Sequence, residues 1–66
     1  MKNSVRVERA ILDITQQHLA DAIGVSRNTI NSIESGRYVP STVLALKIAR
    51  YFGKPADSIF QLDEND

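Results

Sequence analysis

Four polar side chains in the stretch "GVSRNTINSIESG", Gly24 to Gly36, carry the groups best suited to recognition: Arg27, Asn28, Asn31 and Ser32. Ile30 and Ile33 fix which way this segment faces if it is helical. With Ile30 set at zero, Asn28 falls at about 160° and Ser32 at about 200°, opposite the apolar side. Asn31 lies on one flank at about 100° and Thr29 on the other at about 260°. Arg27 is nearer the apolar side in angle, but it sits in the first turn and has a long reach. Asn and Ser are poor helix formers, and a merely solvated helix favours Glu, Lys and Gln, often in i,i+4 pairs. A guanidinium can donate twice to guanine, and a carboxamide can donate to and accept from adenine. Short side chains also let a helix sit deep in a groove. Taken alone, this surface is as consistent with a polar helix face of no function as with a reader of base edges.

The elements that would position these groups are signalled by local punctuation. Thr15 is a good N-cap for a helix over "QQHLADAI", with Leu19, Ala20 and Ile23 on one face. Gly24 is suited to follow its last turn at positive φ, and Ser26 caps the next helix. Only Gly24, Val25 and Ser26 separate the two, so the second helix must turn sharply across the first. This is a helix-turn-helix arrangement. The second helix ends near Ser35, with Gly36 behind it. Pro40 sets up Ser41 as the N-cap of "TVLALKIARYF", whose Leu44, Ala45, Ile48, Ala49, Tyr51 and Phe52 form a broad apolar face. Gly53 stops it, and Pro55 can open a short helix over "PADSI". Upstream, Val5, Arg9 and Leu12 suggest another helix with an indistinct start. "IFQL" alternates weakly, and its only partner for a two-stranded ribbon is the N-terminal segment. The expected fold is all-α, five helices in a single domain over residues 1–66, with a possible short β-ribbon from the chain ends.

Composition narrows the alternatives. A chain of 66 residues has a small core. With no Cys and His18 as the sole His, disulfides are excluded and a metal site is not expected. No cofactor is expected. No run of about 18 apolar residues suggests a membrane span, and the N-terminal segment lacks the apolar core of a signal peptide. A cytoplasmic protein without Cys fits a reducing compartment. Net charge is zero, but Asp63, Glu64 and Asp66 lie together at the end. Residues 1 to 62 carry eight basic side chains against five acidic ones. A mildly basic body permits nucleic-acid binding without demanding it.

Enzyme chemistry is disfavoured. His18, Asp21 and Ser26 could suggest a hydrolytic set, but His18 belongs on a helix surface and no nucleophile elbow is present. Tyr38 and Tyr51 could stack on single-stranded bases, although Tyr51 reads better as a boundary core residue. Lys47, Arg50 and Lys54 read as a solvated face. Ala56, Ile59, Phe60 and Leu62 are more apolar than a short tail requires, which suggests a dimer interface. The acidic "DEND" end reads as a frayed solvating tail.

The segment "TQQHLADAIGVSRNTINSIESGRYVPSTVLALKIARYFG" resembles the Cro/CI-type (lambda-repressor-like) helix-turn-helix regulators, especially short, stand-alone, dimeric ones. "TQ" at a helix start, "LA" three residues on, "GVSR", "TI", "IE.G" and "P" then "S" sit at the family spacing. Each piece is weak alone, but together they span more than half the chain.

The resemblance implies a sequence-specific double-stranded DNA-binding transcriptional regulator and not an enzyme. The expected form is a homodimeric repressor on a near-palindromic operator, with recognition helices in major grooves about 34 Å apart. By position, Arg27, Asn28, Thr29, Asn31 and Ser32 match the base-facing surface. Gln16, Ser35, Gly36, Arg37, Tyr38 and Ser41 match phosphate contacts, and Arg9 and Glu34 match a structural ion pair. Val39 departs from the polar residue many short relatives carry before the loop proline. Glu8 stands where an apolar residue is common. A phage-type repressor, an antitoxin-type regulator and a restriction-modification controller all fit, with a regulatory protein partner as one means of control. The rival class is a protein-interaction module that keeps the fold without reading DNA.

Overall fold

The computed structural model describes residues 1–66. A two-residue strand β1 (Lys2–Asn3) is followed by α1 (Val5–Leu12), α2 (Gln16–Ile23), α3 (Arg27–Glu34), α4 (Thr42–Phe52) and α5 (Ala56–Ile59), then β2 (Phe60–Gln61). The two strands pair antiparallel, Lys2 with Gln61 and Asn3 with Phe60. The terminal ribbon expected from sequence is therefore present, and α1 starts immediately after it.

Capping explains the helix boundaries. Thr15 Oγ1 accepts from the His18 N–H at 3.0 Å. Ser26 Oγ accepts from Thr29 N–H at 3.2 Å, and Ser41 Oγ from Leu44 N–H, also at 3.2 Å. Each of these hydroxyls satisfies one of the first-turn donors that a helix leaves without partners. Gly24 stands at φ 78°, where its N–H reaches Ala20 O at 2.9 Å and closes α2. Asp13, the only non-glycine residue at positive φ, closes α1 in the same way. This residue type tolerates the left-handed region better than most.

One core joins all five helices: Val5, Leu19, Ala20, Ile23, Ile30, Ile33, Leu44, Ile48, Ala49, Ile59 and Phe60. Ile30 and Ile33 are fully buried, so the angular argument for α3 identified its inner side correctly. Tyr51 is half-buried and meets Phe52 edge to face, with centroids 5.3 Å apart.

Helix α1 departs from its expected apolar face. Val5 is buried, but Leu12 at the last turn is 51% exposed. The inner side is completed by charge: Glu8 is buried and Arg9 half-buried, while Val7 and Ile11 face solvent. Glu8 accepts a 2.9 Å ion pair from Lys54, so Lys54 is not part of a plain solvated face. The C-terminal segment differs too. Asp63 and Asp66 lie 2.9 and 3.1 Å from the Met1 ammonium, which pulls the acidic end back against the terminal ribbon instead of leaving it frayed.

Candidate nucleic-acid interface

The turn between α2 and α3 is three residues long and rigidly made. Val25 N–H also bonds to Ala20 O, at 3.0 Å, so the chain leaves α2 along a fixed path. Ser26 then starts α3 at once. Ser26 Oγ and Thr29 Oγ1 lie 3.0 Å apart. The Thr29 hydroxyl is therefore engaged in the cap, on the flank of α3, and is half-buried.

Arg27 and Asn28 are exposed, and Asn31 and Ser32 are half-buried. The four lie on one side of α3 because Ile30 and Ile33 occupy the other. This is the surface expected to read base edges. The loop behind it is held by α3 itself. Arg37 and Tyr38 N–H groups both bond to Ser32 O, at 3.0 and 3.2 Å, and Ser35 Oγ donates to the same oxygen at 3.1 Å. Gly36 takes φ 81° there, which a side chain would strain. Ser35, Gly36, Arg37 and Tyr38 thus form one exposed turn beyond the C-terminus of α3. Ser41 is exposed at the start of α4, with its oxygen used as the cap.

The ion pair expected between Arg9 and Glu34 is present and carries more than two residues. Arg9 Nε donates to Glu34 Oε2 at 2.6 Å, and Nη2 to Oε1 at 3.0 Å. This fork-to-fork geometry is the strongest form of such a pair. Arg9 Nη1 donates to Ile14 O at 2.9 Å, which fixes the link between α1 and α2. The Glu34 side chain is 0% exposed. Burial pushes its carboxyl up, but the hydrogen bonds from Arg9 and Gln16 and the charges of Arg9 and Arg6 outweigh it and hold the carboxyl below its ordinary range. Arg9 is shifted up by its bonds to Glu34, against the effect of burial. Arg6 approaches Glu34 Oε1 at 3.6 Å from an exposed position.

The Gln16 amide is turned toward the rest of the chain. Its Nε2 donates to Glu34 Oε1 at 3.0 Å and to Asn31 Oδ1 at 3.4 Å. A cleft beside it is lined by Arg9, Asp13, Ile14, Thr15, Gln16, Gln17 and Arg27, joining the N-terminus of α2 to the start of α3.

Residues 5–59 match the family model described as Helix-turn-helix. The chain is a helix-turn-helix protein of the Cro/CI type. It is 42% identical over 66 residues to YgzD of Bacillus subtilis, an uncharacterized HTH-type transcriptional regulator, with both chains covered completely. It is 46% identical over 66 residues to an uncharacterized HTH-type transcriptional regulator of Methanocaldococcus jannaschii, again with both chains fully covered. The cryptic phage CTXphi transcriptional repressor RstR of Vibrio cholerae is 35% identical over 65 residues, covering 91% of this chain and 56% of RstR. These are regulators and not enzymes, and this chain is a DNA-binding helix-turn-helix transcriptional regulator. No helix is long and apolar enough to cross a membrane.

Sequence reasoning missed three features around the site. Asn3 Nδ2 donates to Ile33 O at 2.9 Å, tying β1 to the last turn of α3. Arg6 adds a second cation near Glu34. Glu8 pairs with Lys54. The i,i+3 spacing of Arg6 and Arg9 was the one available signal, and it is weak without knowing that Glu34 faces them.

The residues proposed for dimer contact separate into different environments. Ile59 is 0% exposed and serves the core of its own chain. Phe60 forms the floor of a groove with Val39, Ala45, Leu46 and Ala56, and Leu62 is 77% exposed. Val39, Val43 and Leu46 are all more than half exposed.

Proposed function

We propose that the chain is a cytoplasmic repressor acting as one DNA-binding domain. Two copies bind a near-palindromic operator, each with α3 in the major groove, and occupancy blocks a promoter. The observation that carries this reading is the outer side of α3. It presents a guanidinium, amides and a hydroxyl, and the buried Arg9–Glu34 pair fixes its angle to the rest of the chain. The likeness to RstR, named a phage transcriptional repressor, supports the direction of control.

Arg27, Asn28, Asn31 and Ser32 face the bases, with Thr29 beside them. The α2 N-terminus at Gln16, the turn Ser35 to Tyr38 and the α4 start at Ser41 follow the backbone. The dimer forms over Ala56, Phe60 and Leu62, extended by the exposed Val39, Val43 and Leu46. Ile59 supports this surface from beneath. An exposed apolar group of this kind is a common mark of an interface.

Two substitutions separate base reading from backbone contact. Asn28→Ala should cost about 1–3 kcal/mol on the selected site and relax preference at one base pair. Arg37→Ala should weaken binding to every duplex about equally and reduce the salt slope by about one. If both variants lose only general affinity, α3 does not read bases. For the dimer, Leu46→Glu should give a monomer by sedimentation. An unchanged mass would place the interface elsewhere.

A further inference from the structure

Gln16 lies between the buried ion pair and the recognition surface, and its bonding sets the polarity of a neighbouring side chain. The Glu34 carboxylate, gripped by Arg9, can only accept hydrogen bonds. At 3.0 Å from Glu34 Oε1, the Gln16 amide must therefore present its nitrogen. The opposite orientation would set oxygen against oxygen. The second hydrogen on Nε2 is then directed to Asn31, 3.4 Å away, whose facing atom must be the acceptor Oδ1. Each group determines the next: Arg9 orients Glu34, Glu34 orients Gln16, and Gln16 orients Asn31. No hydrogen bond within the chain uses Asn31 Nδ2, and no buried side-chain polar atom lacks a partner, so this nitrogen is open to what lies outside.

We propose that Gln16 is a positioning residue that makes Asn31 present donors only, so that α3 selects guanine over adenine at the base pair Asn31 meets. Guanine offers two acceptors in the major groove, N7 and O6. Adenine offers one acceptor, N7, beside a donor, N6–H₂. An unrestrained Asn matches adenine with both ends of its amide. An Asn whose oxygen is held inside the protein loses that second bond and favours guanine. The inference rests on the DNA-reading function proposed above, and it assigns to Gln16 a role in sequence preference besides any contact with phosphate.

The test is selection of bound duplexes from a random library by the wild type, Gln16→Met and Asn31→Ala. Gln16→Met keeps side-chain length while removing both donors. The wild type should show one guanine-preferring position per half-site that Asn31→Ala flattens. At that position Gln16→Met should accept adenine about as well as guanine, a loss of on the order of tenfold in discrimination. Preferences elsewhere should be unchanged. Equal weakening at every position in Gln16→Met, or a wild-type preference for adenine at the Asn31-dependent position, overturns the relay alone. A wild type that selects no sequence overturns the relay together with the DNA-reading function. NMR of the free protein gives a readout without DNA. Asn31→Ala should move the Gln16 side-chain amide resonances, and their staying in place would also overturn the relay.

Discussion

Two of the ion pairs that hold α1, Arg9–Glu34 and Glu8–Lys54, differ in almost everything except charge; a third, Arg6–Glu34, is a 3.6 Å contact from an exposed side chain. Arg9–Glu34 is bidentate, with side chains 16% and 0% exposed, and no buried side-chain polar atom near it lacks a partner. Glu8–Lys54 is a single 2.9 Å contact, with side chains 10% and 44% exposed. The first joins α1, the α1–α2 link, α2 and α3. The second joins α1 to Lys54, the second residue beyond α4. A buried pair adds little over a well-packed apolar contact, but removing one partner strands the other charge away from water. A pair with one end in solvent loses less when broken, because water can reach the charge left behind. Similar chemistry therefore has different consequences, and only the first pair bears on the angle of α3.

The largest effect should come from Arg9→Ala. It leaves the Glu34 carboxylate buried with Gln16 as its one hydrogen-bond donor and Arg6 3.6 Å away from an exposed position, and should cost about 3–5 kcal/mol. For a chain of this size that is a fall of more than about 10 °C in Tm. A change below about 2 °C would mean that the pair is far more solvated than its exposure indicates.

An intermediate effect should appear as pH dependence. Folding lowers the Glu34 carboxyl below its unfolded value. Its stabilising contribution is therefore complete above the ordinary glutamate range and is lost as pH falls through the folded value. Thermal melting between pH 7 and pH 3 should show this acid loss, and Glu34→Gln should melt lower at pH 7 with a shallower acid slope. Equal slopes in the two proteins would remove Glu34 as the source.

The smallest effect should come from Lys54→Ala. It leaves the Glu8 carboxylate, 10% exposed, without its one partner and should cost about 1–3 kcal/mol, while DNA affinity should not move, because this pair does not touch α3. A loss of specific binding in Lys54→Ala would show that α1 orients the recognition helix through both pairs, and the contrast drawn here would fail.

How much of this could be read from the sequence follows the range of the interactions. Thr15, Ser26 and Ser41 announced the starts of α2, α3 and α4, because a cap acts within three residues of itself. Ile30 and Ile33 disclosed the inner side of α3 by periodicity alone. The bent-back acidic end could not be found in this way, since Asp63 and Asp66 meet the Met1 ammonium across nearly the whole chain. Glu8 was visible as an oddity in α1, but its partner lies 46 residues away. The apolar excess near the C-terminus points to Ile59 as an interface residue, because composition does not show which side chains the core of one chain already uses. Gln16 is the instructive case. Its place at the start of α2 suggests a phosphate ligand, and the sequence does not show that its amide is also turned inward by a carboxylate eighteen residues later. Helix-wheel geometry put Asn31 on the flank, and the flank is where Gln16 can reach it.

The central claim is that the outer side of α3 reads DNA sequence in two copies. Selection of bound duplexes from a random library by the unmodified protein tests it most directly. The account predicts enriched sites with two related half-sites whose centres are about 34 Å apart along the helix axis. Recovery of duplexes with no shared sequence, at any salt concentration, would contradict it.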